Sequence, residues 1–138
     1  MPMWRKSLRF QYGKLPHTNV VIPKLIVHVR SPQQESLTRQ VPAVIDTGAD
    51  RTCIPLSVFA RLGELNFEYG EVGVQGAVGI IERKPTFVVH LKFAGCDFLD
   101  LEVIALEEEF ALIGRDLLNQ HKIILDGPKS QFRIYKSC

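Results

Sequence analysis

Val44-Ile45-Asp46-Thr47-Gly48-Ala49-Asp50 sets two aliphatic residues directly before a carboxylate, and that carboxylate directly before a glycine. The aliphatics read as the buried end of a strand. Gly48 lets the backbone turn at once and leaves room for close approach. A strand that stops at Asp46 therefore pushes its carboxylate out of the sheet. Thr47 adds a hydroxyl that can hold the turn to main chain. The stretch occurs once in 138 residues.

Outward from this turn, the alternation typical of strands dominates. Leu25, Val27 and Val29 share one face, with Lys24, His28 and Arg30 opposite. Residues 31–36 read as a polar loop, and 37–45 as a return strand delivering Asp46. After the turn, 51–54 reads as a short extended piece. Pro55 to Gly63 reads as a brief helix, with Pro55 as its first residue and Gly63 as its stop.

Gly70, Gly73, Gly76 and Gly79 recur at every third position, and residues 67–81 read as a mobile hairpin. No G-x-G-x-x-G and no Lys-Ser/Thr accompanies them, which argues against a phosphate cradle. A second hairpin follows, with Phe87, Val89, Leu91 and Phe93 on one face before a turn at 94–97. Leu99, Leu101 and Val103 continue its alternation beyond the turn. Residues 110–113 read as a buried strand, 117–120 as a short helix, and 123–135 as a terminal hairpin. The expected fold is one mainly β domain with two short helices.

Composition sets outer limits. Hydrophobic residues make up 46% and charged residues 23%, which suits an ordinary soluble globular domain. A net charge of +2 with scattered Lys and Arg predicts no nucleic-acid partner. No apolar run approaches the ~18 residues of a membrane span, and the basic N-terminus has no apolar run behind it. Cys53, Cys96 and Cys138 are widely spaced, with no C-x-x-C. That predicts neither a disulfide framework nor a zinc site, and a reducing, cytoplasmic setting.

His17, His28, His90 and His121 show no ligand spacing, and Asp46 and Asp50 lack the further oxygens of a calcium loop. No metal and no cofactor are expected. Cys53 has no histidine placed to activate it and reads as a small buried hydrophobe. The run Glu107 to Glu109 reads as a solvated loop, its other reading being a bias toward basic peptides.

Hydrolysis of a peptide bond by carboxylates needs two of them sharing one proton, with a water between. Like charges ~3 Å apart cannot both ionise, so one serves as base and the other as acid. A chain with one such turn completes the pair only with a second copy of itself.

About sixty-five residues after the turn comes Ala111-Leu112-Ile113-Gly114-Arg115-Asp116. The two stretches together, with a glycine-rich segment between them, resemble the retropepsin family, the retroviral-type aspartic proteases with cellular and bacterial relatives. The resemblance spans roughly residues 20 to 136. It implies an all-β, retropepsin-like closed barrel with one or two short helices, working as a homodimer on a peptide or protein substrate.

By the same resemblance Asp46 is the catalytic carboxylate, paired with Asp46 of the second subunit. Thr47, Gly48, Ala49 and Arg115 support the site, with Thr47 bonding across the dimer and Arg115 in a bidentate pair with Asp50. Gly48, Asp50, Gly73, Val74, Gln75 and Gly76 contact substrate, the last four from a flap over residues 72–77. Asp116 takes a capping-like role. Residues 1–19 are expected to form an N-terminal extension and 20–138 the protease domain. The alternative is a catalytically silent retropepsin-like dimer that binds peptides or acts as a scaffold.

Overall fold

The two aliphatic-rich motifs fold as neighbouring strands, and this adjacency organises the rest. The computed structural model describes residues 6–15, 18–76, 78–136 and 138. In chain order the strands are β1 (Lys6–Gln11), β2 (Gly13–Lys14), β3 (Val21–Ile22), β4 (Lys24–Arg30), β5 (Thr38–Ile45) and β6 (Cys53–Pro55). Helix α1 (Leu56–Arg61) and a single 3-10 turn precede β7 (Gly70–Gln75), β8 (Ile81–Phe93), β9 (Cys96–Leu106) and β10 (Ala111–Ile113). Helix α2 (Arg115–Leu118), β11 (Lys122–Asp126) and β12 (Gln131–Lys136) complete the chain.

The main sheet runs β4-β5-β10-β6-β9-β8-β7, and β4 pairs again with β8, so the strands from β4 to β8 close on themselves. Closure leaves β7 outside the ring, paired only with the first half of β8. This is an all-β closed barrel with two short helices. Its interior is filled from alternate positions: Val27, Val29, Ala43, Ile54, Phe59, Val89, Phe93, Ala111 and Ile113 are fully buried. Phe59 stacks on Phe87 with ring centroids 4.3 Å apart. Burying a side chain of this size stabilises the fold by about 1.5–3 kcal/mol.

A smaller sheet, β1-β12-β11, carries the chain ends. Its inner face sets Phe132 and Ile134 into the core, with Leu8, Phe10 and Ile123 packed against it. Residues 6–11, within the stretch expected to be an N-terminal extension, thus form a strand of this sheet.

Three local expectations are corrected. Leu99 is 64% exposed and does not share the face of Val103. The β8–β9 register shifts between Val89 and Leu91, and the extra residue on β9 turns Leu99 outward. Asp100, at φ 51, donates its N–H to His90 Nδ1 at 3.1 Å inside this bulge.

Pro55 ends β6 and sits just before helix α1 rather than opening it. Gly63, at φ 70, takes the left-handed position after the helix, where a side chain would be strained.

Cys96 and Cys138 are joined in a disulfide, with Cα atoms 5.9 Å apart. Residues 42 apart meet because β12 returns beside the β8–β9 turn, which spacing along the chain does not reveal. The bridge removes the cysteine-based reason for expecting a reducing compartment. No helix among the described residues is long and apolar enough to cross a membrane.

Candidate active site

Strands β5 and β10 are parallel, in the register Ala43–Ala111, Val44–Leu112 and Ile45–Ile113. Parallel pairing brings both C-terminal ends to the same edge of the barrel. Asp46 and Gly114, the next residues, therefore emerge side by side, and the Asp46 N–H donates to the Ile113 carbonyl at 3.0 Å. Asp46 is half-buried. Its Oδ1 accepts the Gly48 N–H at 3.0 Å, and its carbonyl accepts the Ala49 N–H at 3.2 Å. A tight loop thus holds the carboxylate at the strand end.

Gly114 allows the two loops to touch. A Cβ there would lie 2.6 Å from the Arg51 carbonyl carbon and 3.0 Å from the Ala49 oxygen. Across this contact the Arg115 N–H donates to the Ala49 carbonyl at 2.9 Å. The Arg115 side chain divides its donors: Nη1 reaches the Thr47 carbonyl at 3.0 Å and Nη2 pairs with Asp50 Oδ1. The geometry is therefore a bridge between Thr47 and Asp50 rather than a bidentate grip on Asp50.

Asp116 does more than cap α2. Its Oδ1 accepts the Leu117 N–H at 2.9 Å and the Thr52 hydroxyl at 2.7 Å, and its Oδ2 accepts the Thr52 N–H at 2.9 Å. Thr52 is fully buried, and its hydroxyl oxygen also accepts the Gly114 N–H at 3.2 Å. Sequence reasoning missed Thr52. Its partner Asp116 lies 64 residues along the chain, so no local signal marks it.

Beside this loop lies a cleft of about 820 Å3. Gly48, Asp50, Gly73, Val74, Gln75 and Gly76 all line it, as does Ala49, and Ile104, Leu106 and Leu112 supply apolar wall. Asp46 is not among the lining residues, but the Gly48 amide bonded to its carboxylate is part of the rim. One side of the cleft is the β7–β8 hairpin, whose tip exposes Val78 and Ile80. Ala77 and His17 lie outside the described residues.

Arg51 reaches into the cleft and is held by Glu102 at 2.6 Å. Cys53 is buried in the cleft wall. Desolvation, and then the negative charges of Asp116 and Asp46, push its thiol up to about 11, so it stays protonated and inert as a nucleophile near neutral pH.

No group of three or more His, Cys, Asp or Glu among the described residues is arranged to hold a metal. The carboxylates around the loop are unequally engaged. Asp50 is paired with Arg115 and Asp116 accepts three hydrogen bonds from Thr52 and Leu117, whereas Asp46, among the described residues, accepts the Gly48 amide alone.

The family model of gag-polyprotein putative aspartyl proteases matches residues 38–120. The fold is similar to a retropepsin-like aspartic protease from Rickettsia conorii, with TM-score 0.63 and 15% identity over 94% of this chain and 91% of that one. It is also similar to EIAV protease, solved with the inhibitor HBY-793, with TM-score 0.57 and 20% identity over 76% of this chain and 92% of the other. A comparison with curated proteins gives no match.

Proposed function

Because the chain belongs to the retropepsin-like aspartic proteases, the family described as gag-polyprotein putative aspartyl protease, we propose that it hydrolyses peptide bonds as a homodimeric endopeptidase. The observation that carries this reading is Asp46, the least engaged of the three carboxylates around the loop, at the end of β5 beside a large cleft. Asp50 and Asp116 are occupied by Arg115 and Thr52, which supports a second carboxylate supplied by another copy.

In the dimer, Asp46 and the partner's Asp46 share one proton across a bound water. The ionised member takes a proton from the water as it attacks the scissile carbonyl. The protonated member hydrogen-bonds the developing oxyanion and later serves the leaving amine. Thr47 braces the pair by bonding across the two-fold axis. Gly48 and Asp50 bind the substrate backbone in an extended conformation, as strand addition to a cleft requires. The hairpin around Gly73, Val74, Gln75 and Gly76 closes over the peptide and excludes water. Arg115, held to Asp50 and the Thr47 carbonyl, keeps the loop in place.

The test is digestion of a peptide library by wild type and Asp46→Asn, from mildly acidic to neutral pH, with sedimentation of both. Cleavage should disappear in Asp46→Asn while its dimer persists, and a transition-state-mimicking aspartic-protease inhibitor should block the wild type. Undiminished cleavage by the variant, or a fully active monomer, would refute the mechanism.

A further inference from the structure

Away from the cleft, the outer face of the terminal sheet gathers positive charge. Strands β1 and β12 pair so that Arg9 stands directly opposite Arg133. Like charges directly opposite on neighbouring strands destabilise their pairing. Neither arginine has a side-chain partner among the described residues. The two arginines and Lys129, from the β11–β12 turn, line a shallow pocket of about 260 Å3 whose wall also includes Gln131 and Tyr135. The carboxylate in that wall, Asp126, is engaged in its own turn, where Oδ1 accepts the Lys129 N–H at 3.2 Å. A chain with a net charge of only +2 places three cations around one small pocket.

We propose that this pocket binds a tetrahedral oxyanion of the phosphate class, free or as a monoester, between Arg9 and Arg133. Planar guanidinium forks match such an oxyanion bidentately. The anion converts a repulsive cross-strand pair into a bridged one, with Lys129 as a third cation and Gln131 and Tyr135 as hydrogen-bonding wall. The pocket is smaller than the sites that hold drug-sized ligands, so it takes the charged group rather than a large molecule. Because β1 comes from the start of the chain and β12 from its end, occupancy clamps the two together.

The test uses the full chain, titrated calorimetrically with inorganic phosphate and with phenyl phosphate at constant ionic strength, alongside thermal melts. Wild type should bind saturably, one anion per chain. Arg9→Gln and Arg133→Gln should each weaken binding about tenfold, equivalent to losing one good charged hydrogen-bonding contact. Arg133→Lys should also bind more weakly, since it keeps the charge but loses the fork.

Without phosphate, Arg133→Gln should melt no lower than wild type, because the repulsion is relieved; in saturating phosphate the wild type should melt higher. That crossing is not expected of a purely structural arginine. Tighter binding of phenyl phosphate supports an esterified occupant, and equal or weaker binding supports the free ion. Absence of saturable binding by wild type, or unchanged affinity in the Arg9→Gln/Arg133→Gln variant, would overturn the site. Asp46→Asn should bind phosphate as wild type does, which separates this result from the fate of the protease reading.

Discussion

Thr52 and Asp116 are fastened to each other by two hydrogen bonds, the Thr52 hydroxyl to Oδ1 at 2.7 Å and its amide to Oδ2 at 2.9 Å. The pair joins the strand that leaves the Asp46 loop to the first turn of α2. The hydroxyl oxygen, in turn, accepts the Gly114 N–H. One buried hydroxyl therefore satisfies the Gly114 amide, which would otherwise be left unpaired away from water, and adds a further partner to Asp116. Through it, the loop bearing Asp46 and the loop bearing Arg115 behave as one body.

Thr52→Val keeps the shape of the side chain and removes only the hydroxyl. It leaves the Gly114 amide unpaired and takes one of its partners from Asp116. The expected cost is about 1–3 kcal/mol, the range for stranding a buried polar group, read as a lower urea midpoint. Thr52→Ser should recover most of it. A midpoint unchanged in Thr52→Val would show that the hydroxyl contributes nothing to the join.

Gly114→Ala tests the contact between the loops by sterics alone. Gly114 has φ −93 and ψ −178, a conformation that alanine adopts freely, so backbone strain plays no part. The new methyl would instead meet the Arg51 carbonyl carbon at 2.6 Å and its oxygen at 2.7 Å, and backbone cannot swing aside as a side-chain tip can. Overpacking of this kind costs about 1–3 kcal/mol and sometimes more. Cleavage should fall with it, because the shift is transmitted to the Asp46 loop two hydrogen bonds away. Wild-type stability and activity in this variant would mean that the loops have slack between them.

Much of this arrangement was legible in the sequence, and the parts that were not have two causes. Alternation located β4 and β8 because each buries one face, and a one-residue slip would expose it. The two motifs were legible as a pair through their resemblance to the retropepsin family, which puts both in this order with a glycine-rich segment between them. Leu99 was misplaced because a bulge inserts one residue without changing residue types. Thr52 and the Cys96–Cys138 bridge were invisible for another reason. Their partners lie 64 and 42 residues away, and only the closed barrel brings them together. The role of Arg115 was half legible: its pairing with Asp50 was implied by the family resemblance, whereas its second bond is to a carbonyl, which carries no side-chain signature.

The Cys96–Cys138 bridge closes a loop that spans β9, β10, α2, β11 and β12. Opening it frees the unfolded chain over that length, and the usual loss is about 2–4 kcal/mol. The terminal sheet should nevertheless stay in place, since Phe132 and Ile134 remain buried and β12 is still paired on both sides. The expected result is a lower urea midpoint in dithiothreitol with the circular dichroism spectrum retained. Cys138→Ser should reproduce the loss and be insensitive to reductant. Equal midpoints with and without reductant in the wild type would show that the bridge does not contribute.

Cys53 links the site to alkaline stability. Burial, with Asp116 and Asp46 adding to it, raises its folded-state pKa to about 11 from 9.0. Below pH 9 the thiol is protonated whether the chain is folded or not, so its contribution is constant there. Between pH 9 and 11 the unfolded chain gives up that proton while the folded chain keeps it. The folded state then binds more protons, and stability falls as pH rises. The slope from this group is about 1.4 kcal/mol per pH unit at its steepest. The informative quantity is the difference between wild type and Cys53→Ala, in which every other group is held constant. The variant should lose the extra slope even if its stability at pH 7 is lower from lost packing. Parallel stability curves from pH 8 to 11 would show that the thiol is not held protonated, and rapid alkylation of Cys53 at pH 8 in the native protein would say the same.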